Sequence, residues 1–213
     1  MDKPPYVNHL SISPYCKTIP YEGNCRRRAN GRINHGFKNL RTNPNLIDTV
    51  PELMTDDSMR ELVKTLNTKT ESFFTAGCFS HYRLAKPVSP TDDALGYYEG
   101  YVEFAFNCHL RVQDAKNYFA LFFHFDQFLE DIGFQERVKF DWLIGRIHFT
   151  DLNVEGFSTA VFLQTATVLG FSAAQQIWNQ ALNALDGFLG SVQPQRETAM
   201  YSCSQGHNHQ AAA

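Results

Sequence analysis

Residues 96–134 read GYYEGYVEFAFNCHLRVQDAKNYFALFFHFDQFLEDIGF. The change of apolar period inside this stretch decides the fold class. From Tyr101 to Leu110 the pattern alternates: Val102, Phe104 and Phe106 point one way, and Glu103, Ala105 and Asn107 the other. Period two predicts a strand with one buried face. A turn at Arg111, Val112 and Gln113 follows, with Asp114 as the expected helix N-cap. Tyr118, Leu121, Phe122, Phe125, Phe128, Leu129 and Ile132 then recur at spacings of three and four, one apolar face of a helix that stops at Gly133. A buried Phe or Leu is worth roughly 1.5–3 kcal/mol, so this helix anchors the core.

Working outward, residues 56–68 predict a helix with Met59, Leu62, Val63 and Leu66 on one face and capping-box spacing from Ser58 to Glu61. Residues 71–82 predict a strand with a bulge at Gly77, and residues 83–95 a loop. Residues 138–149 predict a third strand, in which the apolar parity shifts after Gly145, the mark of a bulge. Residues 157–168 are apolar on both faces and predict a central fourth strand. Residues 172–192 predict the last helix, opened by a capping box from Ser172 to Gln175.

The expected fold is therefore α+β, in the order α-β-β-α-β-β-α. Its antiparallel four-stranded sheet is covered mainly on one face by helices. Residues 1–55 are expected to form an irregular basic arm, residues 56–192 the domain, and residues 193–213 a flexible polar tail. Tyr6, Tyr15, Tyr21 and Phe37 are the arm's candidate anchors on the domain. In element order, residues 56–192 resemble the small acidic binding folds of bacterial secretion chaperones, a likeness of layout alone.

The 213 residues are 43% hydrophobic and include 18 Phe, which suits one well-packed domain. No apolar run reaches the ~18–20 residues that span a bilayer. The opening residues lack the apolar core of a signal peptide, so a cytoplasmic protein is expected. The five cysteines, Cys16, Cys25, Cys78, Cys108 and Cys203, have no paired spacing and read as free thiols. The net charge of −3 is unevenly placed. Residues 1–41 hold eight Lys and Arg against Asp2 and Glu22, a surplus of six, whereas the remaining 11 basic and 20 acidic residues leave −9.

Several residue sets have the chemistry of a site. Cys78 and His81, three apart, suit a thiolate–imidazole pair, with Glu99 as a nearby carboxylate, provided that the strand breaks between them. Glu99 and Glu103 share a strand face and suit a carboxylate pair, although a solvated face explains them as well. Cys108 and His109 diverge as neighbours in a strand, and a metal there needs help from His81 or His148. Cys203, His207 and His209 form a weak metal-binding spacing in the tail. His124 reads as a packing histidine at the core edge.

The most distinctive local run is the basic one. Arg26, Arg27, Arg28 and Arg32, with Lys38 and Arg41, suit an anion or an acidic partner, since guanidinium groups fork onto phosphate or carboxylate oxygens. There is no glycine-rich phosphate loop and no RNA-module signature. The leading expectation is a non-enzymatic cytoplasmic binding protein that recognises a protein partner, with no cofactor. Behind it stand a nucleic-acid-associated protein using the Arg-rich arm, and a small enzyme with a Cys/His site around Cys78 and His81.

Overall fold

The computed structural model describes residues 5–23, 34–85, 95–194 and 199–201. The strands are β1 (Tyr6–Ile19), β2 (Phe73–Leu84), β3 (Leu95–Phe106), β4 (Val138–Phe149), β5 (Val154–Thr165) and the short β6 (Val168–Leu169). The α-helices are α1 (Asp57–Lys64), α2 (His109–Val112), α3 (Lys116–Glu130) and α4 (Phe171–Ser191). Short 3₁₀ turns at Pro44–Thr49 and Pro51–Leu53 lead into α1, and a π-turn at Thr65–Lys69 leads out of it.

The sheet corrects the expected antiparallel four strands. It has six strands and is mixed, in the order β1-β4-β5-β3-β2, with β6 pairing β3. β1 comes from residues read as an irregular arm and runs parallel to β4 from Tyr6↔Val138 to Ile19↔Phe149. A parallel partner more than a hundred residues away leaves no turn signal nearby, and β1 is an edge strand with few buried positions. Its tail does continue along the domain: Phe37 N donates to Tyr21 O at 3.0 Å, and the two rings lie 6.2 Å apart. Tyr15 is exposed and anchors nothing. β5 is central, as its two apolar faces predict.

The helices lie on the face carrying Val102, Phe104, Trp142 and Val161. Phe125 of α3 packs on Phe140 and Trp142 of β4 and on Phe188 of α4. Trp178 of α4 stacks on Tyr98 of β3 at 5.4 Å. Gly100 allows that approach, because a Cβ there would lie 2.9 Å from the Trp178 ring. Where β3 and β5 diverge, the buried Tyr118 hydroxyl accepts from Phe106 N at 3.1 Å and donates to Phe157 O at 2.5 Å. It stands in for a missing rung of the ladder.

The bulge expected at Gly77 is present, between Thr75 and Gly77. At Gly145 β4 and β5 stay in continuous register, and the irregularity lies across from it in β1, whose register with β4 shifts between Ile12 and Cys16, the partners of Ile144 and Arg146. The shift in apolar parity after Gly145 has another cause. Ile147 and Phe149 are buried on the sheet's second face, where Phe149 meets Phe74 and Phe74 meets Tyr201. That end of the sheet is covered on both sides.

The caps also differ. Asp56, not Ser58, caps α1, accepting from Met59 N at 2.9 Å. Gly170, at φ 81°, precedes α4 without a side-chain cap from Ser172. Asp114 does accept a helix-start amide, that of Lys116 at 2.9 Å, with Ala115 in the cap position. β3 ends at Phe106 and the expected turn at Arg111 is the one-turn helix α2.

Candidate functional site

A cleft with a volume of about 590 Å³ lies among the described residues. It opens beside the bulge of β2. Lys17 and Tyr21 form one wall, residues 34–38 another, Val50, Glu52 and Val63 a third, and Gly77, Cys78, Tyr101 and Glu103 of the sheet the floor. Its assembly follows from the fold: β1 and the segment just after it deliver Lys17 and Tyr21 to the second face, and the turns before α1 deliver Glu52.

The polar groups of the cleft are tied to one another. Glu103 is nearly buried, and its Oε2 lies 2.5 Å from Lys17 Nζ while Oε1 accepts from Ser158 Oγ at 2.8 Å. The Tyr21 hydroxyl donates to Ala76 O at 3.1 Å. Burial raises its pKa above the ordinary range, helped by Tyr101, Glu103, Cys78 and Glu52. His35 stands 3.8 Å from Glu52. The Cys78 thiol is pushed up to about 12, first by burial and then by the carboxylates of Glu52 and Asp56. A thiol held protonated at neutral pH is a poor nucleophile.

The residues singled out from sequence are mostly not brought together. β2 runs unbroken from Gly77 to Leu84, so alternation puts Cys78 and His81 on opposite faces. His81 is exposed and sits opposite Glu99 in the register, while Glu99 accepts from Arg83 Nε at 2.5 Å. Glu99 and Glu103 thus have different partners. Cys108 is buried in a lone bridge to Ala199, His109 lies in α2, and His148 pairs with Glu155 at 2.6 Å. His124 is exposed on α3, not packed at the core edge. No three His, Cys, Asp or Glu among the described residues are placed to hold a metal.

Of the basic run, Lys38 donates to Thr49 O and to Thr49 Oγ1. Arg41 is buried, donating to Asn67 O at 3.1 Å and to Thr70 O. Both bind the chain's own turns. Arg26, Arg27, Arg28 and Arg32 lie outside the described residues, as do Cys203, His207 and His209. Among the cleft residues that sequence reasoning passed over are Lys17, His35, Val50, Glu52 and Tyr101. The only local signal for them was the alternation that put Tyr101 and Glu103 on the second face of β3.

The chain matches no family model, no curated protein and no solved structure. No helix among the described residues is long and apolar enough to cross a membrane.

Proposed function

We propose that this is a non-enzymatic binding protein that recognises a protein partner, part of which enters the cleft beside β2. The observation that supports this reading is the pairing inside the cleft. Glu103, Lys17, Tyr21 and Lys38 hold one another or the main chain, and Cys78 keeps its proton. What the cleft offers a ligand is shape and a lining that includes Tyr21, Phe37, Val50 and Tyr101. That combination suits an apolar or aromatic side chain presented by another protein.

The test is selection of a displayed library of random linear peptides on the full chain, followed by calorimetric titration of the peptides obtained. Gly77→Val supplies the control. A Cβ at Gly77 would meet Tyr21 Oη at 3.6 Å and Tyr101 Cε2 at 3.7 Å, ordinary contacts, so the side chain fits but occupies the cleft. Peptides that bind the native chain and lose about tenfold or more in affinity to Gly77→Val, a change of ~1.4 kcal/mol, agree with the reading. Failure of any peptide to enrich, together with tight RNA or single-stranded DNA binding at physiological salt, would replace it with the nucleic-acid alternative.

A further inference from the structure

We infer that the cleft beside β2 receives a quaternary alkylammonium group, carried by the partner protein as the tip of a trimethylated lysine. This rests on the reading that a partner side chain enters the cleft. It names the chemistry of that side chain, an apolar stem that ends in a methylated cation.

Three aromatic rings reach the cleft from separate parts of the chain. Tyr21 follows β1, Phe37 lies in the segment ahead of α1, and Tyr101 stands on the second face of β3. All three are half-buried. The rings of Tyr21 and Phe37 lie 6.2 Å apart and are inclined at 59°, so they are not stacked face on face. Tyr21 and Tyr101 converge on Gly77, where a Cβ would meet their hydroxyl oxygens at 3.6 and 3.7 Å. The face of such a ring is negative and attracts a cation within about 6 Å of its centre.

The cleft also holds a carboxylate with little to balance it. Glu52 sits in the 3₁₀ turn Pro51–Leu53, which the buried Leu53 fixes to the core. Its side chain is only 21% exposed, and its partner among the described residues is His35 Nε2 at 3.8 Å, beyond hydrogen-bond reach. The charge is felt inside the cleft. Burial raises the Cys78 thiol first, and Glu52 and Asp56 raise it further. Burial likewise leads at the Tyr21 hydroxyl, with Tyr101, Glu103, Cys78 and Glu52 adding to it. The two lysines of the cleft have other partners: Lys17 Nζ lies on Glu103 and Lys38 Nζ on Thr49. A largely buried carboxylate without a close cation is destabilising, and an incoming cation relieves it.

Methylation follows from the hydrogen bonds already made. An unmodified lysine brings three N–H donors that need acceptors once they leave water. Several acceptors at the cleft are engaged: Glu103 accepts from Lys17 and Ser158, Ala76 O from Tyr21, and Thr49 from Lys38. A trimethylammonium group carries the same charge and has no N–H to satisfy. Its methyl surface suits ring faces, and its charge is balanced by Glu52 without a hydrogen bond. Aromatic rings around a quaternary ammonium are a recurrent use of the cation–π attraction.

The experiment uses the full chain and three synthetic peptide libraries with random flanks around one fixed residue. That residue is trimethyllysine, lysine, or the carbon isostere of trimethyllysine, in which carbon replaces the ammonium nitrogen. Peptides that enrich are titrated calorimetrically in all three forms. Expected is an affinity for the trimethyllysine form about tenfold or more above that of either other form. Glu52→Gln, in a chain that still unfolds cooperatively, should remove most of the preference over the isostere and leave isostere binding unchanged. The comparison of the three forms needs no change to the protein, so it stands even if that variant fails to fold. Equal affinity for trimethyllysine and its isostere would overturn the cation and leave the cleft reading standing. Equal affinity for lysine would overturn the methylation. Undiminished binding of the trimethyllysine peptides to Gly77→Val would place them outside the cleft and overturn the inference. No enrichment in any library would overturn both this inference and the cleft reading. Choline is titrated alongside, and binding as tight as that of the best peptide would overturn the protein-borne source and assign the site to a free quaternary amine.

Discussion

Lys17 Nζ lies 2.5 Å from Glu103 Oε2, although β4 and β5 separate β1 from β3 in the sheet. In a flat sheet these strands would stand about 14 Å apart, three spacings of ~4.8 Å. The contact therefore requires the sheet to curl, and the cleft lies within that curl. Lys17→Met would leave a nearly buried carboxylate whose remaining partner among the described residues is the Ser158 hydroxyl. Because Lys17 is itself 57% exposed, solvent screens part of the loss. We expect a destabilisation of about 1–2 kcal/mol in urea unfolding, partly recovered when Glu103→Leu is added. A change below ~0.3 kcal/mol would reduce the pair to a surface contact.

The Tyr118 hydroxyl serves two strands at once. Tyr118→Phe keeps the ring and strands both Phe106 N and Phe157 O in a buried site. Each unsatisfied group costs about 1–3 kcal/mol, so a loss of about 2–4 kcal/mol is expected. Faster amide exchange at Phe106 is the accompanying local sign. Unchanged stability would mean that water or strand closure replaces the hydroxyl.

The aromatic face of α3 has a graded energy. Phe125 is fully buried against Phe140, Trp142 and Phe188. Phe122 touches Trp142 from nearer the rim, and Phe123 is exposed. Phe125→Ala should cost about 3–5 kcal/mol, Phe122→Ala less, and Phe123→Ala under ~0.5 kcal/mol. A reversed order in denaturation midpoints would mean that the buried face is misplaced.

Cys78 makes stability depend on alkaline pH. Its folded value of about 12 stands above the ordinary 9.0. The folded state keeps the proton that the unfolded state loses, so stability falls as pH rises from about 9 towards about 12. Buried tyrosines raised in the same way, Tyr21 and Tyr118 among them, add a same-signed loss that starts from 10.0. Between about pH 8 and about pH 10, Cys78→Ala should lose less stability than the native chain. Equal losses would show that the thiol titrates freely. Exposed Cys16 should also be alkylated well before Cys78, and Cys78→Ser should leave peptide binding in place. Abolished function in a stably folded Cys78→Ser chain would instead point to a thiol mechanism.

The residues of α3 and α4, the central place of β5 and the bulge at Gly77 were legible in the chain because each rests on a local rule. A helix buries every third or fourth residue, a central strand is apolar on both sides, and a bulge takes a glycine. The α+β class follows from those periods alone. β1 was not legible. It is an edge strand with a proline, and its parallel partner is brought to it only by the folded sheet. The same holds for Ile147 and Phe149, whose parity suggested a bulge until the second layer of core around Phe74 and Tyr201 explained their burial. The sequence by itself determined which faces are apolar, since that is set within a turn or two of chain. Only the tertiary structure decided that Lys17 meets Glu103, that Glu52 and Cys78 line one cleft, and that β2 ends the sheet among the described residues. Those relations depend on strand order and curl, which no local period encodes.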